Sequence, residues 1–195
     1  MPYVTLEQMK EYIGISLTET RDDHLLLKAA KRATGTIEAI THRKFEQYRQ
    51  TRYFDALCDV DPYDRRSLVL DEDLQSIVSI TNGDGTLVTP DQYVLLPTNM
   101  YPKSEIRMRT NSPVVWTYDD DPEQAIAVDG WWGYTQKPDE NIQRACLLIA
   151  AFDYWGKDNA EARFRTITVN DVTLGTARLP QDAIEWITPF IRKID

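Results

Sequence analysis

The sequence has few of the residues from which disulfide frameworks and metal sites are built. Only two cysteines and two histidines occur among 195 residues. Cys58 and Cys146 are far apart, and His24 and His42 fall near the two ends of one predicted helix, roughly 27 Å apart at 1.5 Å per residue. The closely spaced ligand pairs of zinc sites are therefore missing. We predict no metal site, no cofactor and no disulfide, with both thiols in apolar packing.

Long apolar runs and positive charge are also scarce. No signal-peptide core follows Met1 and no uninterrupted apolar stretch approaches eighteen residues, so we expect cytoplasmic synthesis and no membrane contact. Lys and Arg number 22 against 31 Asp and Glu, which gives a formal net charge of −9. Bare nucleic acid would be repelled on average, which argues against a duplex-binding protein. The same charge on a channel wall would let DNA slide past without binding.

Catalytic signatures are missing as well. The sequence contains neither G-x-S-x-G nor a known cysteine-nucleophile motif, and Gly83 and Gly85 lack the following Lys-Ser or Lys-Thr of a phosphate-binding loop. The acidic run 119–121 is more typical of a solvated loop than of a cation site or a carboxylate pair. We therefore predict that the protein is not an enzyme. A carbohydrate-binding or hydrolytic β module, based on Trp131, Trp132 and this acidic loop, is one alternative.

What the sequence does contain is enough apolar area for a packed core, with 42% hydrophobic residues and five tryptophans. A capping box at Thr5 predicts a short helix that Gly14 ends, and apolar residues at three- and four-residue steps predict a long helix from Asp22-Asp23 to about Thr41. A very apolar helix is predicted from about Pro138 to Gly156, and a last one from Pro180 that Pro189 interrupts. An extended arm over 166–174, broken by Gly175, precedes that last helix.

Between these helices the pattern changes to short β segments. Runs rich in β-formers, bounded by Asp, Pro, Asn and Gly, extend from about residue 50 to 135, with a tight turn at 82–85. We predict an α+β fold that is mainly helical, with a helical bundle core, an inserted antiparallel β region and a C-terminal arm and helix. We expect two domains. Residues 1–49 and 136–195 together form a discontinuous helical domain, and residues 50–135 form the β-rich insertion.

The order of these elements resembles the head-tail connector family of tailed bacteriophages. The similarity spans nearly the whole chain and consists of packing and capping patterns in a shared order. The residues that carry the similarity are 4–15, Asp22-Asp23, 40–43, 53–56, 77–80, 93–95, Pro138 at the start of the apolar helix, 178–180 and 189–192.

This resemblance implies a structural virion protein, made in the host cytoplasm, that acts as an adaptor at the head-tail interface. Such an adaptor forms a ring under the portal, a dodecamer by family resemblance, and extends the channel through which DNA passes without specific binding. Its partners would be the portal protein, neighbouring copies and a tail-proximal stopper or tail terminator protein. A DNA-packaging or head-completion accessory protein that binds DNA or terminase is the other alternative, for which Lys28, Lys31, Arg32 and Arg43 offer a modest basic helix face.

Two segments are candidates for partner binding. Large apolar residues near a free end are typical of interface hot spots, so the last helix, with Trp186, Phe190, Ile191 and Arg192, is our candidate portal anchor. The open alternative is that this helix closes the protein's own core. The second candidate is the arm with Val169 and Val172, because an extended segment can add a strand to a neighbour's sheet.

Overall fold

The computed structural model describes residues 1–156 and 179–192 in full, and the backbone of 164–169 and 172–177. Its contacts divide the chain into two compact units, Met1–His42 with Pro138–Asp195, and Arg43–Lys137. We call them the helical unit and the β unit. Whether 1–49 with 136–195 and 50–135 fold as separate domains remains a prediction, because compactness does not test independent folding.

The described part of the helical unit contains four α-helices. They are α1 (Leu6–Ile13), α2 (Asp23–Thr41), α3 (Glu140–Trp155) and α4 (Gln181–Ile187), followed by the 3-10 helix Thr188–Phe190. The longest pair, α2 and α3, pack against each other, and α1 and α4 both contact α3. Small residues allow this close approach, and the fully buried positions include Met9, Leu26, Ala29, Ala33, Ile37, Ile142, Ala145, Ala150, Ala183 and Ile187.

Helix ends in this unit follow the caps in the sequence. The Thr5 hydroxyl accepts from the Gln8 backbone N–H, and the Gln8 side chain accepts from the Thr5 N–H, which confirms the predicted capping box. Gly14 ends α1 with a φ of 76°, a backbone conformation that favours glycine. The Asp139 carboxylate caps α3 by accepting from two backbone N–H groups in its first turn.

A buried lysine organises the turn between α1 and α2. Lys10 is only 3% exposed, and its ammonium donates to the carbonyls of Leu17 at 3.3 Å and Glu19 at 2.5 Å. It also lies 2.6 Å from Oδ1 of Asp23, at the start of α2. One cation thus satisfies two turn carbonyls and one carboxylate, because an ammonium has three donors and a buried charge must be paired.

The β unit contains one antiparallel sheet of six strands. They are β1 (Tyr48–Phe54), β2 (Ser67–Thr81), β3 (Leu87–Val88), β4 (Tyr93–Leu96), β5 (Lys103–Met108) and β6 (Ile126–Trp132). The strand order is β1-β6-β2-β5-β4, and β3 pairs with β2. Alternating side chains form a separate core, which includes Phe54, Leu68, Leu70, Leu74, Ile80, Ile106, Met108, Trp116, Ile126, Val128 and Trp132.

The long strand β2 connects the two halves of this sheet. Its first part pairs with β5 and its second part with β6, and the register shifts between Val69 and Leu74. The predicted tight turn follows it, with Gly85 at a φ of 77°. The buried Asn82 side chain donates to the Val115 carbonyl and accepts from the Thr117 N–H. This amide therefore ties the turn to the 113–118 segment.

The predicted arm forms a hairpin rather than one extended segment. Strands β7 (Phe164–Val169) and β8 (Val172–Ala177) pair antiparallel, with Val169 opposite Val172. Gly175 was expected to break the arm, but it lies inside β8, opposite Thr166. A glycine weakens a strand without ending it, so one glycine does not mark a boundary.

The prediction of a mainly helical fold with a helical bundle core is wrong. Of the residues that the structure describes in full, 31% are helical and 26% are strand, and they form four α-helices and a six-stranded antiparallel sheet. Alternation along each short strand buries one face, and six such faces together make a core that no single segment reveals. The helical core was predicted because α3 is the most apolar segment of the sequence, whereas the apolar residues of the β region are spread over many short runs.

Candidate interaction surfaces

The predicted portal anchor is partly used by the protein's own core. Ala183 and Ile187 of α4 are fully buried, and α4 packs on α3. Trp186 is half-buried, and the Arg144 guanidinium of α3 lies 4.7 Å from the centroid of its ring. A cation over an indole face stabilises this contact by roughly 0.5–1 kcal/mol at an exposed site. The helix thus closes the helical unit and still presents part of Trp186 to solvent.

The residues after α4 extend onto the end of α2. The Arg192 N–H donates to the carbonyl of Thr41 at 2.9 Å, which fixes the backbone there. Phe190 is half-buried, whereas Ile191 is 40% exposed. Of the four residues predicted at this end, Ile191 is therefore the exposed one, and Trp186 keeps part of its side chain accessible.

The other two predicted residues, Val169 and Val172, are directly opposite each other in the β7–β8 hairpin. Their side chains lie outside the described part of the chain. They form the last pair of the hairpin register, five residues along each strand from its first pair, Phe164 and Ala177. The assignment of these two residues to an interface remains a prediction.

The sheet contributes a further exposed surface that the sequence did not single out. The register places Arg49 of β1, Trp131 of β6 and Ser76 of β2 in one row across three strands. Trp131 is 38% exposed and Tyr53, further along β1, is 60% exposed. Trp132 is fully buried instead, as expected for adjacent strand residues that face opposite sides. Alternation in β1 and β6 was the signal for this surface, but only the register shows which residues share it.

Both arginines of β1 form ion pairs with carboxylates on neighbouring strands of this sheet. Arg49 Nη2 lies 2.8 Å from Oδ2 of Asp129 on β6, and this contact lowers the pKa of the Asp129 carboxyl and raises that of Arg49. Arg52 contacts both Asp71 and Glu72 of β2, and its guanidinium carbon lies 5.3 Å from the Trp132 ring centroid. Both side chains thus extend from the edge strand toward the middle of the sheet.

The thiols differ in environment. Cys146 is fully buried on α3, and burial raises its pKa to about 11, although the Thr34 hydroxyl 3.6 Å away opposes the shift. This thiol is protonated at neutral pH and unsuited to nucleophilic attack. Cys58 is exposed, so the prediction of apolar packing is wrong for it. It lies in the loop 55–66, which buries Ala56 and Val60 in the core but leaves Cys58 and the adjacent Leu57 on the outside.

The described residues offer few other candidate sites. No cluster of three or more His, Cys, Asp or Glu side chains able to hold a metal ion occurs among them. None of the helices described is both long and apolar enough to cross a membrane. A groove of ≈ 560 Å³ in the β unit is lined mainly by glutamine and tyrosine side chains, Gln47, Gln75, Gln136, Tyr101 and Tyr134.

Three solved structures from gene transfer agent (GTA) particles are similar to this chain in fold. A chain of the neck of the empty particle, computed with C6 symmetry, matches 98% of this chain and 92% of its own, with a TM-score of 0.57 and 13% identity. A chain of the native virion matches 99% and 91%, with a TM-score of 0.59 and 14% identity. A chain of the native neck, computed with C12 symmetry, matches 88% of this chain and 87% of its own, with a TM-score of 0.51 and 16% identity.

The likeness to these structures is one of fold and does not extend to a recognisable sequence match. No protein-family model matches the sequence, and no curated protein matches it. The structural match nevertheless covers both units and nearly the full length of each chain compared. The chain therefore has the fold of proteins in the neck and virion of gene transfer agent particles, which agrees with the resemblance to head-tail connectors in its sequence.

Proposed function

We propose that this protein is a structural protein of the neck of a phage-like particle, and more specifically the adaptor that forms a ring under the portal. The observation that carries the proposal is the end-to-end likeness to chains of neck structures, over 98% of this chain and 92% of the other. Such a role depends on rigid packing and interfaces rather than on catalysis. It places the protein at the head-tail interface of the virion.

A ring of identical subunits is part of this proposal. Two of the similar neck structures were computed with C6 and C12 symmetry, both of which describe rings. In a cyclic ring each subunit uses two different surfaces, one toward each neighbour. We infer a dodecamer that extends the DNA channel and offers its far side to a stopper or tail terminator protein. The net charge of −9 suits a channel through which DNA passes without binding.

The C-terminal end is the proposed contact with the portal. Ile191 is exposed, and Trp186 keeps part of its indole accessible beside Arg144. Phe190 and Arg192 hold this end in place, since Phe190 is half-buried and the Arg192 N–H bonds to α2. Truncation before Pro180 would also uncover the face of α3 that α4 covers, so a point substitution is the sharper test of docking.

Substitution Ile191→Asp should weaken binding to the portal at least tenfold, since a carboxylate in an apolar interface costs more than 1.4 kcal/mol. Leu27→Asp is the matched control, because Leu27 on α2 is similarly exposed, at 44% against 40%. Titration of each variant against purified portal rings measures the affinities, and melting temperatures check the folds. Equal affinity of Ile191→Asp and the unsubstituted protein would show that this end is not the anchor.

The packaging alternative relies on four basic residues, Lys28, Lys31 and Arg32 of α2 and Arg43 after its end. Lys28 and Lys31 are exposed there, but Arg32 lies 2.7 Å from Asp153 and Arg43 lies 2.6 Å from Asp73. Two of the four cations are therefore neutralised within their own units, which leaves a weak attraction for DNA. Binding to duplex DNA that falls steeply with salt concentration would favour this alternative over the adaptor.

A further inference from the structure

The strand β1 is an unprotected edge of the β unit's sheet. It stands at the end of the strand order and pairs only with β6 among the residues that the structure describes. Its seven residues pair without a register shift, and none of them is proline. Natural proteins usually protect such an edge with a bulge, a proline or a charge, because a row of free N–H and C=O groups is a template for another strand.

The charges that could guard this edge are engaged elsewhere. Arg49 pairs with Asp129 on β6, and Arg52 pairs with Asp71 and Glu72 on β2. Both partner strands lie on the inner side of β1, so the two guanidinium groups are drawn away from the free edge. The other edge strands of this sheet are shorter. β4 has four residues and is followed at once by Pro97, and β3, which pairs with β2, has two. β1 is therefore the longer and more regular edge for pairing.

The same chain carries a hairpin whose strands match this edge in length. β7 and β8 have six residues each, against seven in β1, and their register is continuous. An isolated two-stranded hairpin is marginally stable in water, whereas three or more paired strands are stable. Each hairpin strand has one edge that its partner strand does not use. If β1 lay beside the hairpin as its third strand, main-chain hydrogen bonds would stabilise the hairpin and cover the free edge of the sheet.

We propose that in the assembled ring β1 of one subunit pairs with the β7–β8 hairpin of the neighbouring subunit. The inference rests on the proposed ring and names the two surfaces that form its subunit interface. A strand edge on one side and a hairpin on the other make a head-to-tail contact, which is the type that a cyclic ring requires. Backbone pairing also explains how an interface can form where side chains on β1 are largely polar.

Cysteine cross-linking tests the pairing directly. In a Cys58→Ser background, one batch of protein carries Thr51→Cys in the middle of β1, and a second carries Thr168→Cys or Thr173→Cys in the hairpin. Thr168 and Thr173 are opposite each other, so together they sample both strands. The control replaces the Thr51→Cys batch with Ser79→Cys, an exposed position on β2, two strands in from the edge. The two batches are mixed and assembled into rings on purified portals. The rings are then treated with a bismaleimide that spans about 7–8 Å, the diagonal spacing of paired strands.

Pairing predicts a cross-linked dimer between the Thr51→Cys copy and one of the two hairpin variants, several-fold above the Ser79→Cys control. Rings that form normally but give no more cross-linking at residue 51 than at residue 79 would overturn the pairing and leave the adaptor role intact. A fast internal cross-link in free monomers that carry both cysteines would also overturn it, because the hairpin would then pair within its own chain. Failure of any ring to form on the portal would instead contradict the proposed function.

Discussion

At the scale of single residues, close backbone contacts decide which positions tolerate change. Gly130 lies in the middle of β6, and a Cβ there would stand 2.6 Å from the Ser76 carbonyl oxygen of β2. That atom belongs to the paired backbone and cannot move without disturbing the sheet. Gly35 in α2 differs, since a Cβ there would meet nothing within 4 Å.

We therefore expect Gly130→Ala to lower the free energy of unfolding by about 1–3 kcal/mol, the usual cost of overpacking. Gly35→Ala should raise it by about 0.5–1 kcal/mol, because alanine is the better helix former. Chemical denaturation of both variants measures the two changes. A Gly130→Ala variant as stable as the unsubstituted protein would show that β2 and β6 are not in this register.

The two thiols should react at very different rates. Burial keeps Cys146 protonated, with a pKa of about 11, while Cys58 is exposed. One thiol per chain should therefore react quickly with a disulfide reagent at pH 8, and the second only after unfolding. The Cys58→Ser variant should lose the fast reaction entirely. Two fast thiols in the native protein would contradict the packing of α3 against α2.

At the scale of elements, the turn between α1 and α2 depends on one buried cation. Lys10→Met leaves two carbonyls and the Asp23 carboxylate without their ammonium partner. We expect a loss of roughly 2–4 kcal/mol in unfolding free energy, since removing one partner of a buried pair leaves the other unsatisfied. Lys28→Met, at an exposed position of α2, is the control and should change stability by less than about 0.5 kcal/mol. Similar stabilities of the two variants would contradict this account of the turn.

Helices and their ends could be predicted from the sequence because their signals are local. The capping box at Thr5 and the stop at Gly14 both appear in the structure. The sheet could be predicted only as a set of short strands. Its order, the pairing of Gly130 with Ile77, and the separate core depend on contacts between residues far apart in sequence. No local pattern specifies such contacts.

At the scale of the whole molecule, the sequence indicated only some of the residues that we propose for the interfaces. Apolar residues near the end of the chain indicated a contact surface, and Ile191 is indeed exposed, but the same pattern also describes the part of α4 that packs on α3. The edge strand β1 was missed because its composition is unremarkable. What makes it an edge is the strand order and the direction of its ion pairs, which only the fold reveals.

The most direct test of the central proposal is to mix the purified protein with isolated portal rings of its own particle and measure the complexes by mass and electron microscopy. The adaptor role predicts a complete ring of this protein stacked coaxially on the portal, with a fixed number of subunits. No association at any salt concentration near neutral pH would contradict it.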